Sequence, residues 1–334
     1  FRSNPGAAEV CDGQDNDCDP LVDDADPDFD DWWDARWPYR VMVTVTAPTQ
    51  ETRGAPLAVD VDFAALLAGL GDTSGYKDGS LRVVNQRCAL GQPEVPSELA
   101  DGVWGVFDKA PIDDVTGDGA GAVVFLYDED GDTSTRERLA GGATATFGLY
   151  FGSNRTTPSV SAPTYASGLS AWTDGVRSEL ANDLVEATFD RATGGLTTRL
   201  GTQGGDGRVG SQTSTLLGNG IYFNAVGGGA GGQWVSARDP SARLSLVHAG
   251  PMFAAVRAEG SASGTYGGFD YAYTFMLFEG RPEVYAKVEF VLNRASHIGP
   301  QGTSWSAAVR PWITDNNAVV SSVPVSEEIG RAHV

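Results

Sequence analysis

Apolar and polar residues alternate in many short runs along this chain, and the alternation predicts β-strands. Residues 41–46 are rich in β-branched side chains, which is typical of a strand with one buried face. Asp-Gly and Gly-Gly turn signals separate the runs. A short helix-like pattern covers residues 63–70. Further strands in the first half are predicted at residues 57–63, 81–84, 103–107, 122–127 and 144–151.

The same alternation continues in the second half of the chain. Residues 184–190 have one apolar and one polar face, residues 191–195 form a turn, and residues 196–200 follow it. Later strands are predicted at residues 252–259, 269–278 and 283–293. The last of these places on one face Val284, Ala286, Val288, Phe290 and Leu292. Many short strands with regular turns predict an all-β fold.

Composition divides the chain into successive segments. Residues 1–31 are an Asp-rich candidate metal-binding segment, and residues 32–155 are predicted to form a β-sandwich. Residues 156–175 lie in a stretch rich in Ser, Thr, Pro and Gly, which predicts a linker. Residues 176–327 are predicted to form a second, incomplete β-domain, in which the glycine-rich stretch 201–232 forms long surface loops.

Both ends of the chain indicate a fragment. Residues 328–334 resemble the translation of a common sequencing adapter and are set aside, His333 included. We expect the natural chain to continue differently past about residue 327. Phe1 is not a start residue, so the lack of a signal peptide carries no information on export.

The strongly negative net charge of the chain argues against anionic binding partners. The formal net charge is −21, and only three of the basic residues are lysines. Phosphate-binding surfaces need clustered cations, so nucleic acid is excluded as a partner. An anionic membrane surface would repel the chain for the same reason. No apolar run reaches about 18 residues, so no membrane span is predicted.

About half of the negative charge lies near the start of the chain. Residues 1–34 contain eleven Asp and Glu9 against the single Arg2. Such a concentration of like charge repels itself unless a cation neutralises it. A solvated acidic linker is the alternative interpretation, and the spacing of the carboxylates argues against it.

The carboxylates of residues 12–24 have the spacing of a calcium-binding loop. Asp15, Asp17 and Asp19 repeat at every second position, as in the first half of an EF-hand loop. Calcium prefers about six to eight hard oxygen ligands, which include a backbone carbonyl. We therefore predict a divalent-cation site with Ca²⁺ as the ion. The predicted ligands are Asp12, Asp15, Asp17, Asp19, Asp23, Asp24 and the carbonyl of Leu21.

Two cysteines lie within this loop. A Cys11–Cys18 disulfide would close the loop and reduce the entropy lost when the loop orders. Two thiolates would instead suggest zinc, but Cys-x6-Cys without a nearby histidine is a poor zinc pattern. Cys88 is left over and is interpreted as a small buried residue.

Residues 8–24 resemble the short metal-binding repeat of bacterial surface proteins that is named after the copper-binding protein MopE. The spacing of both cysteines and of the central aspartates agrees, whereas Pro20 stands where the repeat usually has glycine after Asp19. The resemblance implies a metal-binding surface segment, and copper is the label of the family. The segment contains no imidazole ligand, so ligand hardness favours calcium.

A second acidic pair of loops flanks the strand predicted at residues 122–127. Asp114, Thr116 and Asp118 resemble the Asp-x-Thr-Gly-Asp-Gly loops of calcium-bound β-repeat proteins, and they are a second candidate metal site. Residues 128–132 are also acidic, but a strand of about 20 Å separates the two loops, so they would not share one ion. Two ordinary Asp-Gly turns are the alternative.

Trp32, Trp33 and Trp37 cluster before the first predicted strand. Aromatic ring faces pack on the apolar faces of sugars, so the cluster is a candidate carbohydrate-binding platform. The alternative interpretation is that the three rings cap the core of the sandwich.

Residues 180–295 resemble the supersandwich domains of galactose-mutarotase-like carbohydrate-active proteins, among them polysaccharide lyases. The segments NDLVEATFDRATGGLTTRL, AGPMFAAVRAEG and FDYAYTFMLFEGRPEVYAKVEF carry the resemblance. It implies a broad sheet whose concave face holds polysaccharide. Tyr271 and Arg281 are candidate ligands of the sugar, but Tyr271, Tyr273 and Arg281 fit a packed aromatic face and a hairpin turn equally well. A lyase needs a cation, a base and a proton donor around a uronate. Residues of suitable type are Arg257, Tyr271, Tyr273, Arg281, Lys287 and His297, and no spacing among them demands catalysis.

We expect an extracellular or cell-surface protein that binds calcium and interacts with a polysaccharide or surface glycan. A truncated polysaccharide lyase of the supersandwich type is the alternative. Metal storage in the sense of MopE would need thiol or imidazole ligands, which are sparse here.

Overall fold

The computed structural model shows a mostly β protein, so the predicted all-β fold is confirmed. The described residues form two compact units, one up to Tyr165 and one from Ala166 onwards. The helices in this part of the chain are too short or too polar to cross a membrane. The structure describes residues 32–47, 49, 52–87, 92–101, 119–128, 138–157, 159–202, 221–225, 233–235, 239, 241–262, 269–292, 305–309, 314–315 and 318–319.

The described part of the first unit consists of antiparallel strands and one short helix. It contains a four-stranded sheet in the order β1-β9-β4-β5, a three-stranded sheet in the order β3-β7-β6, and the pair β2-β8. Its described elements are β1 (Tyr39–Thr46), β2 (Thr52–Arg53), β3 (Pro56–Asp62), α1 (Phe63–Gly69), β4 (Arg82–Asn85), β5 (Glu94–Val95), β6 (Ser97–Asp101), β7 (Ala120–Leu126), β8 (Arg138–Leu139) and β9 (Thr144–Phe151).

The two larger sheets of the first unit share one apolar core. From β9, Phe147, Leu149 and Phe151 point into it and are at most 1 % exposed. From the facing sheet, β7 contributes Val123 and Phe125. The rings of Phe125 and Phe147 meet edge to face with centroids 5.0 Å apart. Each sheet therefore buries one face against the other, which is the arrangement of a β-sandwich.

Helix α1 begins where β3 ends. The Asp62 side chain accepts a hydrogen bond from the backbone N–H of Ala65 at 2.7 Å and caps the first turn. Phe63 and Leu67, one turn apart, enter the sandwich core. Gly71 follows with a φ of +82°, a left-handed conformation that favours glycine after a helix. The helix expected from the sequence is therefore present.

A buried carboxylate connects the loop after α1 with the turn after β9. Asp72 is 2 % exposed and accepts a hydrogen bond from the Ser153 hydroxyl at 2.6 Å and from the Tyr39 hydroxyl at 2.9 Å. The backbone N–H and the hydroxyl of Ser74 donate to its other oxygen. Hydrogen bonds from Ser153 and Ser74 favour the ionised form and hold the pKa of Asp72 well below its ordinary value.

The second unit also consists of antiparallel sheets. The four-stranded sheets have the orders β10-β11-β12-β13 and β16-β17-β18-β19, and the strands β15-β14-β20 and β21-β22 form smaller sheets. The described elements are β10 (Ser170–Thr173), β11 (Arg177–Ala181), β12 (Val185–Asp190), a 3-10 turn (Arg191–Thr193), β13 (Thr197–Thr202), β14 (Ile221–Ala225), β15 (Gln233–Val235), β16 (Arg243–Ala249), β17 (Phe253–Ala262), β18 (Phe269–Phe278), β19 (Val284–Leu292), β20 (Trp305–Val309), β21 (Thr314–Asp315) and β22 (Ala318–Val319).

The two four-stranded sheets of the second unit share a second apolar core. Leu180, Ala187 and Phe189 enter it from β11 and β12, and Tyr273 and Phe275 enter it from β18. The rings of Phe189 and Phe275, one from each sheet, have centroids 4.4 Å apart. The period-two alternation in the sequence is thus the cause of this packing, because it places every second residue of a strand on the buried face.

The turn between β12 and β13 brings the backbone close to the facing sheet. Gly194 and Gly195 have φ values of +65° and +79°. A Cβ added at Gly195 would lie 2.2 Å from the Cβ of Ala258. Glycine at position 195 is therefore required both by the backbone conformation and by the close approach.

Two strands occur where the sequence predicts irregular structure. Strand β14 lies inside the glycine-rich stretch 201–232, so the prediction of loops is wrong for this part. Its sequence, Ile-Tyr-Phe-Asn-Ala, is aromatic and β-branched, and the surrounding glycines obscured that signal. Strand β10 lies inside the stretch 156–175, and its four residues include Trp172.

Replacing the buried carboxylate by an amide tests the role of Asp72. We expect Asp72→Asn to lower the unfolding temperature by several degrees at about pH 7, because the donors around Asp72 lose an ionised acceptor. Since folding lowers this pKa, the stabilisation is complete above the carboxyl pKa of the unfolded chain and is lost as the pH falls through the folded-state value. Scanning calorimetry at decreasing pH should show the gap between wild type and variant narrowing. The exposed Asp78 provides the matched control, Asp78→Asn, and a gap that does not change with pH contradicts the interpretation.

Candidate functional site

The candidate aromatic site lies on the outer face of the sheet β1-β9-β4-β5. Val41, Leu149 and Val83 are neighbours across three strands and face the core. The next row along these strands consists of Arg40, Tyr150 and Arg82, which therefore face outwards. We call Trp32, Trp33, Trp37 and Tyr150 the aromatic cluster.

Tyr150 is the centre of the aromatic cluster and is fully buried although it faces away from the main core. Its ring lies beside Gly148 of the same strand, where an added Cβ would lie 2.7 Å from a ring carbon. Its hydroxyl accepts a hydrogen bond from the backbone N–H of Trp33 at 3.2 Å. The segment before β1 is thus attached to this face of the sheet.

Trp37 and Trp33 pack on Tyr150. Trp37 is 4 % exposed, joins Val84 and Tyr150 in a separate apolar cluster, and donates its indole N–H to the Ser80 carbonyl at 2.6 Å. The Trp33 ring centroid is 5.2 Å from that of Trp37 and 5.5 Å from that of Tyr150. These contacts are those of a cover over the sheet, so Trp37 presents almost no surface to a ligand.

Trp32 is the most exposed ring of the aromatic cluster, at 39 %. Its indole N–H donates to the carbonyl of Trp37 at 2.9 Å, and its ring meets Tyr150 edge on at 5.5 Å. The guanidinium of Arg40 lies 4.8 Å from the ring centroid, a distance typical of a cation–π contact. One ring face of Trp32 and its N–H are therefore already occupied by the protein.

Arg82 links the aromatic cluster to the segment that follows β9. Its guanidinium lies 5.1 Å from the Trp37 ring centroid and donates to the Ser161 carbonyl at 3.0 Å. Its Nε lies 3.4 Å from Glu94, which also accepts a hydrogen bond from the Tyr165 hydroxyl at 2.8 Å. Burial raises the pKa of Tyr165, and the neighbouring Glu94 carboxylate raises it further. This arrangement holds chain segments together and offers no reactive group.

In the second unit, the tyrosines named as candidates are core residues. Tyr271 is 3 % exposed and Tyr273 is fully buried. The Tyr271 hydroxyl donates to the Asp239 carboxylate at 2.9 Å. Burial raises the pKa of Tyr271, and the hydrogen bond to Asp239 adds to the rise. Tyr271 is therefore a poor ligand for a sugar and a poor proton donor for a lyase reaction.

The cationic candidates of the second unit are engaged in ion pairs. Arg257 contacts both Glu259 and Glu289, and Lys287 lies 3.5 Å from Glu289. Arg281 lies 3.1 Å from Glu283. Within the described residues these cations neutralise carboxylates of the protein itself.

His248 is stacked on Phe253 with ring centroids 4.4 Å apart, which is a packing contact. Groups of three or more His, Cys, Asp or Glu side chains that could hold a metal do not occur in the described part of the chain. The structure thus adds no metal site to the one predicted near the start.

One exposed aromatic residue was missed by reasoning from the sequence. Trp172 of β10 is 51 % exposed, more than any ring of the aromatic cluster. The signal was present in the alternation of residues 170–173, where Trp172 falls on the face opposite to Ala171.

Several predicted site residues lie outside the described residues. They are the metal ligands Asp12, Asp15, Asp17, Asp19, Leu21, Asp23 and Asp24, the cysteines Cys11, Cys18 and Cys88, the second candidate site Asp114, Thr116 and Asp118, the residue His297, and the segment 328–334. The roles assigned to them stay predictions.

Comparison with known families supports the metal-binding segment. The family model Cu-binding MopE, described as "Putative metal-binding motif", matches residues 1–24. No curated protein and no solved structure matches the chain. The resemblance of residues 180–295 to galactose-mutarotase-like domains is therefore not shown.

Trp37 and Trp32 should contribute differently to the stability of the protein. We expect Trp37→Ala to lower the free energy of unfolding by about 3–5 kcal/mol, because it removes a buried ring and its hydrogen bond. Trp32→Ala, which removes a half-exposed ring from the same cluster, should cost only about 1 kcal/mol. Urea unfolding followed by circular dichroism measures both values. Equal losses would contradict the view that Trp37 anchors the cluster.

Proposed function

We propose that this chain is an extracellular calcium-binding protein whose β-sandwich units interact with carbohydrate at a cell surface. The observation that carries the calcium part is the spacing of Asp15, Asp17 and Asp19 inside the segment matched by the metal-binding family model. The carbohydrate part is supported by Trp172, which is 51 % exposed on the second unit.

The donor set of the segment fits calcium better than copper. Residues 1–24 contain seven Asp or Glu side chains, no histidine and no methionine. Carboxylate and carbonyl oxygens suit calcium, whereas copper favours imidazole and sulfur ligands. Cys11 and Cys18 are the sulfur atoms of the segment, and a disulfide between them would remove both as thiolate ligands. Asp12, Asp15, Asp17, Asp19, Asp23 and Asp24, with the Leu21 carbonyl, would hold the ion.

The same features support an extracellular location. Disulfides persist in oxidising compartments, and carboxylate-rich calcium modules outside cells work at the high calcium concentrations found there. The formal net charge of −21 also keeps the chain soluble and away from nucleic acid and anionic membranes.

A polysaccharide lyase finds no support among the described residues. The cations that would bind a uronate pair with Glu259, Glu283 and Glu289. The tyrosine that would donate a proton, Tyr271, is in the core. We therefore favour binding over catalysis.

Calcium binding is tested on the whole chain after treatment with a chelator. Isothermal titration should show saturable binding with a dissociation constant on the order of 10⁻⁴ M, as expected for an extracellular module. Changing Asp15, Asp17 and Asp19 together to Asn should abolish it, because three central oxygen ligands lose their charge. The control variant changes Asp26, Asp28 and Asp30 to Asn. It removes the same amount of charge outside residues 1–24, to which the family model corresponds, and should leave calcium binding intact.

Two outcomes of that titration would contradict the proposal. Equal losses in both triple variants would indicate diffuse attraction of cations to an acidic tail. Saturable binding of Cu²⁺ with none of Ca²⁺ would assign the segment to copper.

Carbohydrate interaction is tested by incubating the whole chain with an array of bacterial and plant polysaccharides, with calcium and with chelator. We expect retention on at least one polysaccharide through the exposed Trp172 ring of the second unit. No retention on any polysaccharide in either condition would contradict the carbohydrate part and leave the calcium part standing.

A further inference from the structure

The outer face of the sheet β10-β11-β12-β13 presents an aromatic and polar row to solvent. Trp172 of β10 lies directly opposite Glu179 of β11, and Glu179 lies opposite Thr188 of β12. Thr188 in turn lies opposite position 199 of β13. We call Trp172, Glu179 and Thr188 the tryptophan row.

The tryptophan row faces away from the core of the second unit. Its neighbours along the strands, Leu180 and Ala187, are fully buried in the core. Successive residues of a strand point to opposite faces of the sheet, so the row must point outwards. The exposure agrees, because Trp172 is 51 % exposed and Glu179 and Thr188 are half-buried.

Trp172 differs from Trp32 in what its ring contacts. Trp32 has the Arg40 guanidinium over its ring and donates its N–H to Trp37. Trp172 has neither an aromatic nor a guanidinium neighbour among the described residues, and its indole nitrogen donates to none of them. Exposing half of an indole costs apolar burial, a cost that Trp37 of the first unit avoids because it is 4 % exposed.

We propose that the tryptophan row is the place where an uncharged polysaccharide binds. Trp172 stacks on the apolar C–H face of a sugar ring. The Glu179 carboxylate accepts hydrogen bonds from sugar hydroxyls, and the Thr188 hydroxyl donates or accepts one. This proposal rests on the proposed interaction with carbohydrate and names the surface and the class of ligand.

The charges along the row fit an uncharged ligand. Glu179 is the charged member of the tryptophan row, and Trp172 and Thr188 are uncharged. The neighbouring Arg177 is paired with Asp190 at 3.3 Å. A polyanion such as a uronate chain would be repelled by Glu179 and by the net charge of −21. A chain of hydroxyl-bearing sugars meets both acceptors and donors without a net electrostatic cost.

The length of the tryptophan row also fits a polysaccharide chain. Strands in a sheet are about 4.8 Å apart, so the row extends for about 10 Å from Trp172 to Thr188. That length accommodates more than one sugar ring in line across the strands. Because β10 is the edge strand of the sheet, a long polymer can continue past Trp172 without meeting another strand of that sheet.

The test measures depletion of the whole chain from solution by cellulose, mannan and xylan, with polygalacturonate as the anionic control. Trp172→Ala should reduce the affinity for the bound neutral polysaccharide by about tenfold or more, as expected when a central aromatic anchor is lost. Glu179→Gln should reduce it less, and Trp172→Tyr should retain most of it because a stacking ring remains. Trp32→Ala is the matched control and should bind as wild type. Circular dichroism checks that each variant is folded.

Three results would overturn the inference. If wild type binds a neutral polysaccharide and Trp172→Ala binds it equally well, the row is not the site, while the proposed carbohydrate interaction stands. If binding occurs only to polygalacturonate, the ligand class is wrong. If light scattering shows a dimer that Trp172→Ala dissociates, the row is a contact between two copies of the chain. Lack of binding to every polysaccharide overturns the inference together with the proposed carbohydrate function.

Discussion

The requirement that a β-sheet bury one of its faces determines the structure of both units. In the first unit, Phe125 and Phe147 meet from facing sheets, and in the second, Phe189 and Phe275 do the same. Apolar burial of this kind is the main favourable term in folding. Each sheet then has a second face that is free to acquire other properties. In the first unit, tryptophans cover the outer face of the sheet β1-β9-β4-β5. In the second unit, Trp172 remains exposed on the outer face of the sheet β10-β11-β12-β13.

The period of the apolar residues predicted the fold class because it follows directly from strand geometry. The predicted strand at residues 144–151 is β9, and the predicted helix at residues 63–70 is α1 to within one residue. Strands of two residues were missed because they carry too little periodicity, and longer strands, among them β11 (Arg177–Ala181) and β16 (Arg243–Ala249), were missed as well. Strand β14 was missed because the many glycines around it were given more weight than its aromatic and β-branched residues. Strand β10 was missed because the stretch around it is poor in charge and suggested a linker.

The candidate site was harder to predict because exposure depends on what covers a face. The sequence predicts that Trp32, Trp33 and Trp37 lie close together, and in the structure they do. They pack around Tyr150 and Arg82, which come from strands far along the chain and which the sequence did not indicate. Because of these contacts, the three tryptophans cover the outer face of the sheet and do not form a platform for a ligand. Tyr271 was a candidate ligand by residue type, with a packed aromatic face as the alternative, and the structure shows that it lies in the core. Trp172 lacked any neighbouring aromatic residue that would have attracted attention.

The contact between Gly148 and Tyr150 has an evolutionary consequence. Two residues apart on β9, they lie on the same outer face, and a Cβ at position 148 would occupy space within 2.7 Å of the tyrosine ring and 2.8 Å of the Gln86 amide nitrogen. A methyl group there would lift the ring and detach the backbone of Trp33 from the Tyr150 hydroxyl. Homologous chains that keep the tyrosine should therefore keep the glycine, and chains that lose one should lose the other and the preceding tryptophans with it.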